Sequence, residues 1–135
     1  MAPSTPLPVT TSYTQTDTHV KIAWSAPSDN NSPITSYTIK IRNNAGTNSY
    51  TSASCDGSSA TVISNRYCEI PLTELVDGSG NYALVHNKLV AAEVLATNAF
   101  GSSSYSTYNT VGALIKTVPL KPPTAVQAGS GTSYY

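Results

Sequence analysis

Charge is what this sequence has least of. Asp, Glu, Lys and Arg make up 10% of its 135 residues, seven acidic against seven basic, and the net charge is zero, where an average domain carries about 25%. A neutral surface releases few counterions from a phosphate backbone, which argues against nucleic acid as a partner. The same scarcity argues against a basic amphipathic helix lying on a membrane. No run approaches the ~18 apolar residues that span a bilayer, so no membrane insertion is expected of this segment. Met1-Ala2-Pro3 opens with neither a basic nor an apolar stretch, so no signal peptide is read here. That leaves a cytosolic protein, or an internal segment of a longer one.

Trp, Phe and Met occur once each and Cys twice, but Tyr occurs nine times and the apolar fraction is 39%. That apolar share predicts a folded chain despite the low charge. Ser and Thr fill about a quarter of the sequence, and the branched Cβ of Thr suits a pleated surface. The length leaves room for one domain and a little more.

Helical periodicity is scarce and alternation frequent. His19-Val20-Lys21-Ile22-Ala23-Trp24 places Val20, Ile22 and Trp24 on one face, and Tyr37-Thr38-Ile39-Lys40-Ile41 does the same for Tyr37, Ile39 and Ile41. Along 90–96, Val90, Ala92, Val94 and Ala96 share a face and Glu93 looks to water. Further strands are predicted over Leu7–Tyr13, Ser49–Ala53, Ala60–Ile63, Tyr67–Leu72 and Val111–Lys116, and one helical turn over Leu72–Leu75. Ser28-Asp29-Asn30-Asn31-Ser32-Pro33, Asn43-Asn44-Ala45-Gly46 and Asp77-Gly78-Ser79-Gly80-Asn81 are turn chemistry. Seven or eight short strands so separated predict an all-β, two-sheet antiparallel sandwich.

The two ends echo each other: Ala2-Pro3-Ser4-Thr5-Pro6 against Val118-Pro119-Leu120-Lys121-Pro122. The expected organisation is a module over 1–119, then 120–135 as a linker and the start of a following repeat, or as a strand lent to a neighbour. A flexible, Pro-rich tail is the plainer reading.

Trp24-Ser25-Ala26-Pro27, a polar loop, then Pro33-Ile34-Thr35-Ser36-Tyr37-Thr38-Ile39 resembles the second and third strands of a fibronectin type III domain. Val94-Leu95-Ala96-Thr97-Asn98-Ala99-Phe100-Gly101 resembles that family's sixth strand and following turn, and Thr117-Val118-Pro119 its way out into a linker. The resemblance implies an immunoglobulin-like sandwich with Trp24 as core anchor, packed against Ile39, Val94 and Ala96, and Tyr37 opening the third strand. There are two departures. The family's corner Tyr, eight positions before the strand's Asn, is Val90 here, and the stretch from Asn43 to Cys68 is long and holds both cysteines.

A Cys55–Cys68 bridge closes a loop of about 14 residues and adds roughly 3 kcal/mol by chain entropy. It implies an oxidising compartment, extracellular or at the cell surface. Two free buried thiols are the alternative. A metal site is not expected, because two Cys with the distant His19 and His86 lack ligand spacing, and Asp29 alone is too few carboxylates for calcium. Asn30-Asn31-Ser32 is a formal acceptor for N-linked sugar at Asn30, weakened by Pro33; Ser4, Thr5, Thr10 and Thr11 are compositional candidates for O-linked sugar. No carboxylate pair or nucleophile motif marks a catalytic site, and no cofactor is implied.

The function expected is a non-catalytic structural or adhesion module of a longer extracellular protein, its partners being neighbouring modules of the same chain or identical subunits. Two alternatives stand beside it: a fibre subunit that lends 124–135 to a neighbour's edge, and a carbohydrate-binding module using Tyr105 and Tyr108.

Overall fold

The computed structural model describes residues 1–116; the segment expected as linker or lent strand, 120–135, lies outside the described residues. Among the described residues seven strands form: β1 (Thr10–Thr14), β2 (His19–Ala23), β3 (Ser36–Arg42), β4 (Ser49–Tyr50), β5 (Tyr67–Pro71), β6 (Ala92–Asn98) and β7 (Gly101–Ser102). Two short helices, α1 (Ala60–Asn65) and α2 (Leu72–Val76), flank β5. One antiparallel sheet has the order β1-β2-β5 and the other β4-β3-β6-β7.

The alternation seen in the sequence becomes two inward faces. Burial alternates strictly along β3 and β6, and their register sets Tyr37 opposite Ala96, Ile39 opposite Val94 and Ile41 opposite Ala92. Within the other sheet, Val20 pairs with Ile70 and Ile22 with Cys68 on β2 and β5. A one-residue slip in either sheet turns these side chains to water, so the core fixes the register. Trp24, just after β2, is 7% exposed, and its ring meets Tyr37 edge-on at 5.3 Å between centroids. Ile39, Val94 and Ala96 belong to the same buried cluster.

Three expected strands take other forms. Ala60–Ile63 lies in helix α1, which ends where Arg66 turns left-handed and its N–H reaches Val62 O at 2.7 Å. Among the described residues no strand pairs with this stretch, its backbone hydrogen bonds close within the segment, and Val62 and Ile63 lean on the core. Pairing in Ser49–Ala53 stops at Tyr50, and a single helical turn follows over Ala53–Cys55. Val111–Lys116 is bent at Gly112, whose φ is +147°, and pairs only as a bridge of Leu114 to Leu89. That φ favours glycine, and a Cβ there would lie 2.1 Å from Thr11 Oγ1. The predicted turn over Leu72–Leu75 is helix α2.

The strands carry the chain from one end of the sandwich to the other. Residues 1–4, the loop after Trp24 and the β6–β7 turn gather at what we term the N-terminal end. Residues 14–18, 83–88 and 111–116 gather at the C-terminal end.

Candidate functional site

At the N-terminal end the organising residue is Asn98. It is buried at the close of β6, and its amide donates to Met1 O (2.8 Å), Asp29 O (3.1 Å) and Ser32 O (3.4 Å). Its Oδ1 accepts from Phe100 N–H at 2.9 Å. Ser4 N–H reaches Ser28 O at 3.0 Å, and the Asn30 amide donates to Ala2 O at 2.7 Å. A sugar at Asn30 would be joined to that same nitrogen and would leave it one N–H with which to keep this bond.

At the C-terminal end Tyr13 holds the departing chain: its hydroxyl donates to Leu114 O (2.7 Å) and accepts from Lys116 N–H (2.9 Å). Lys116 Nζ sits 4.5 Å from the Tyr13 ring centre and 2.7 Å from Asp17. The corner that lacks its tyrosine is tied otherwise. Val90 O accepts from Thr11 Oγ1 and from the Asn109 amide, both at 3.1 Å, and Thr11 Oγ1 accepts from Ala113 N–H at 2.9 Å.

Beyond β7 the chain no longer pairs as a strand, yet β6 keeps its hydrogen bonds. Ser103 Oγ, Ser106 Oγ and Asn109 Oδ1 accept from Ala96, Val94 and Ala92 N–H at 3.0, 3.1 and 2.9 Å. Ser103 and Ser106 also donate their own N–H to Ala96 O and Val94 O, both at 2.8 Å. Three residues here advance as far as two residues of β6, roughly 7 Å, so the segment is wound tighter than a strand. The intervening Tyr105 and Tyr108 lie on the outer face of the sheet. Lys40 stands 5.2 Å from the Tyr105 ring centre and Arg42 4.9 Å from that of Tyr108. Tyr108 also hydrogen-bonds Ser49, which donates to Glu93 at 3.2 Å. Both rings, expected as sugar platforms, are partly buried and each has a cation beside it. A three-residue recurrence of Ser103, Ser106 and Asn109 was the available sequence signal, but a search for periods of two and 3.6 passes over it.

Among the described residues the first part of β3 has no partner strand on its outer edge, because β4 pairs only with Ile41 and Arg42. A cleft of about 450 Å³ lies there between Ser36–Ile39 and the Thr51–Ser58 segment. Tyr37 N–H crosses to Gly57 O at 2.9 Å. The Cys55 and Cys68 sulfurs are bonded, with Cα atoms 5.1 Å apart, fastening that segment to β5. Asp56 Oδ1 accepts from Ser58 N–H and Oγ, and these bonds hold its carboxyl below the usual range. The repeated Asp-Gly-Ser at 77–79 folds the same way, with the same effect on Asp77.

Tyr82 anchors the far end of this segment and was not foreseen. Its buried hydroxyl donates to Tyr50 O (3.1 Å) and Thr51 O (3.0 Å). Burial, with the Glu74 carboxylate nearby, pushes its pKa up to about 12. In the unfolded chain a tyrosine gives up its proton near pH ~10. Below that pH both states hold the proton and the stabilisation is complete; between ~10 and about 12 the unfolded state binds fewer protons and stability falls. The expected loss is about 2–3 kcal/mol, read as urea midpoints from pH ~9 to ~12. Tyr82→Phe should flatten that slope; an unchanged slope would assign it to another group.

Among the described residues no three His, Cys, Asp or Glu side chains gather as a metal site would, and no helix is long and apolar enough to cross a membrane. What the molecule presents are two anchored ends, a strand edge covered by the Thr51–Ser58 segment with a cleft beside it, and an aromatic-lined sheet face. Architecturally it is an immunoglobulin-like, two-sheet antiparallel sandwich built around one tryptophan. The fibronectin type III domain model matches residues 4–86, and the chain belongs to the fibronectin type III family.

Among solved structures the chain is similar to domains A168–A170 of titin, at 19% identity and a TM-score of 0.59 over 86% of this chain and 33% of that one. It is similar to the FN1–FN3 domains of chicken CNTN1, at 20% identity and a TM-score of 0.54 over 80% and 31%. It is also similar to the twitchin kinase region from C. elegans, at 21% identity and a TM-score of 0.58 over 92% and 18%. The chain thus spans a third or less of these structures, and at such identities the likeness shows the fold alone. No curated protein matches it.

Proposed function

We propose that this chain is a non-catalytic structural or adhesion module of a longer extracellular protein, joined to its neighbours through its two ends. The observation that carries this is the placement of those ends: residues 1–4 are tied to one end of the sandwich and Lys116 to the other. Such a module passes the chain, and any pull along it, straight through. The similar structures from titin and CNTN1 are themselves stretches of several domains, and the Pro-rich junction recurs at 118–122. The extracellular part rests on the Cys55–Cys68 bond.

The coding sequence on either side should contain further sandwich modules and a leader peptide; a gene holding this module alone would overturn the reading. Peptide mapping without reductant should recover the Cys55 and Cys68 peptides linked, whereas two thiols titrating in the freshly isolated native protein would remove the extracellular assignment.

A second reading, a fibre subunit lending 124–135 to a neighbour, draws support from the cleft beside β3, whose first half pairs with no strand on that side among the described residues. Deleting 120–135 separates the two. A module in an array keeps its melting temperature, and any weak end-to-end association it shows is the same with or without the tail. A fibre subunit forms filaments that the deletion abolishes. A large loss of stability on deletion would place the tail in this domain's own core and sink both.

A further inference from the structure

We propose that Phe100 of one module seats in the groove beside Leu114 of the module before it, locking successive copies end to end. The proposal rests on the tandem-module reading above and names the contact that reading leaves open. Isolated exposed apolar side chains are ordinary; here their positions are what matters. Phe100, the one phenylalanine of the sequence, is 69% exposed at the tip of the β6–β7 turn. Its backbone is fixed: its N–H is bonded to Asn98, which also holds Met1 O and the Asp29–Ser32 loop. An anchor on a fixed backbone gives up only side-chain freedom on binding.

The opposite end offers the complement. A mostly apolar groove of about 480 Å³ is lined there by Tyr13, Gly112, Ala113, Leu114, Ile115 and Lys116. Leu114 is 49% exposed, and Val85 on the neighbouring loop is 55% exposed. Lys116, the last described residue, lies on the rim of this groove. In a tandem array a following module is tethered near that rim, and even a weak contact is populated at the effective concentration a short linker provides. One patch at each end makes a heterologous contact, which repeats along a line instead of closing a two-fold dimer. That is the symmetry an array of copies requires, so the occupant is the N-terminal end of another copy of this module.

The test is an amide-resolved NMR dilution series of the full chain from about 1 mM to about 20 μM, a range suited to a weak contact. Resonances of Ala99–Gly101 and of Tyr13, Val85–Asn87 and Ala113–Ile115 should move together with one dissociation constant. Phe100→Ser should weaken both sets about tenfold or more while leaving all other resonances in place. Leu114→Ser should do the same from the other side. The proposal is overturned if neither set moves, if one end moves alone, or if Phe100→Ser leaves the series unchanged. Shifts confined to Ser36–Ile39 and 51–58 would put the neighbour on the β3 edge and overturn it as well. The array reading stands or falls separately, on the flanking coding sequence.

Discussion

Trp24→Ala is expected to lower stability by about 3–5 kcal/mol, the range for truncating a buried aromatic side chain. For a domain of this size that corresponds to roughly 10–25 °C in melting temperature. The side chain is 7% exposed and stands between the sheets, in one cluster with Ile22, Ile39, Ile70, Val94 and Ala96. Its loss leaves a cavity that strands held by two hydrogen-bonded sheets cannot close, and it removes the edge-on contact with Tyr37 at 5.3 Å. Trp24→Phe is the informative companion. The indole Nε1 is buried with no hydrogen bond of ordinary geometry, and the Tyr37 hydroxyl is the polar group it acts on, so the phenyl ring surrenders volume but gives up at most a weak polar contact. The Phe variant should therefore lose less than half of what Ala loses. Thermal denaturation of both variants checks this, and an Ala variant melting within a degree or two of the parent would show that Trp24 does not anchor the core.

The elements that could be read from the sequence are those whose side chains alternate between one buried and one wet face. β2, β3 and β6 each pair on both sides and bury every second residue, so their composition carries the period. The helical turn after Pro71 was legible because Leu72 and Leu75, three apart, both point into the core. Where the period was broken by tertiary context, the sequence misled. Thr61-Val62-Ile63 reads as a strand by propensity, but no neighbouring strand offers it a ladder, and the Asp56–Ser58 turn before it and the left-handed Arg66 after it close it into a helix. Ser103, Ser106 and Asn109 serve β6 with side-chain oxygens in place of a strand's carbonyls, an arrangement with no propensity signature. Tyr82 was one of nine similar tyrosines until the fold set its hydroxyl against Tyr50 O and Thr51 O. The two ends were legible only as proline-rich composition; that Phe100 and Leu114 mark opposite ends depends on strand directions that only the sheet order fixes.

Replacing both Cys55 and Cys68 by Ala is expected to cost about 3 kcal/mol, and the damage should be local in a defined way. The bond spans a sequence separation of 13, for which chain entropy alone gives about that figure. In the folded state it pins the Thr51–Ser58 segment to β5, and that segment stands over the otherwise unpaired edge of β3. Gly57 shows how close the two lie. A Cβ built there would fall 1.8 Å from Tyr37 O and 2.5 Å from Tyr37 C, both main-chain atoms with no freedom to step aside. Gly57→Ala must therefore push the segment off the edge even with the disulfide intact. Because both changes loosen the same contact, their costs should combine to less than their sum in a double-mutant cycle. Hydrogen exchange gives the decisive readout. The Tyr37 amide, bonded to Gly57 O, should lose protection in either variant, while Val94 and Ala96, whose amides are held by Ser106 and Ser103, keep theirs. If Tyr37 stays protected and the melting temperature moves by only a degree or two, the bond is not what closes this edge, and Tyr82 together with the Glu74–Ser52 contact must hold the segment without it.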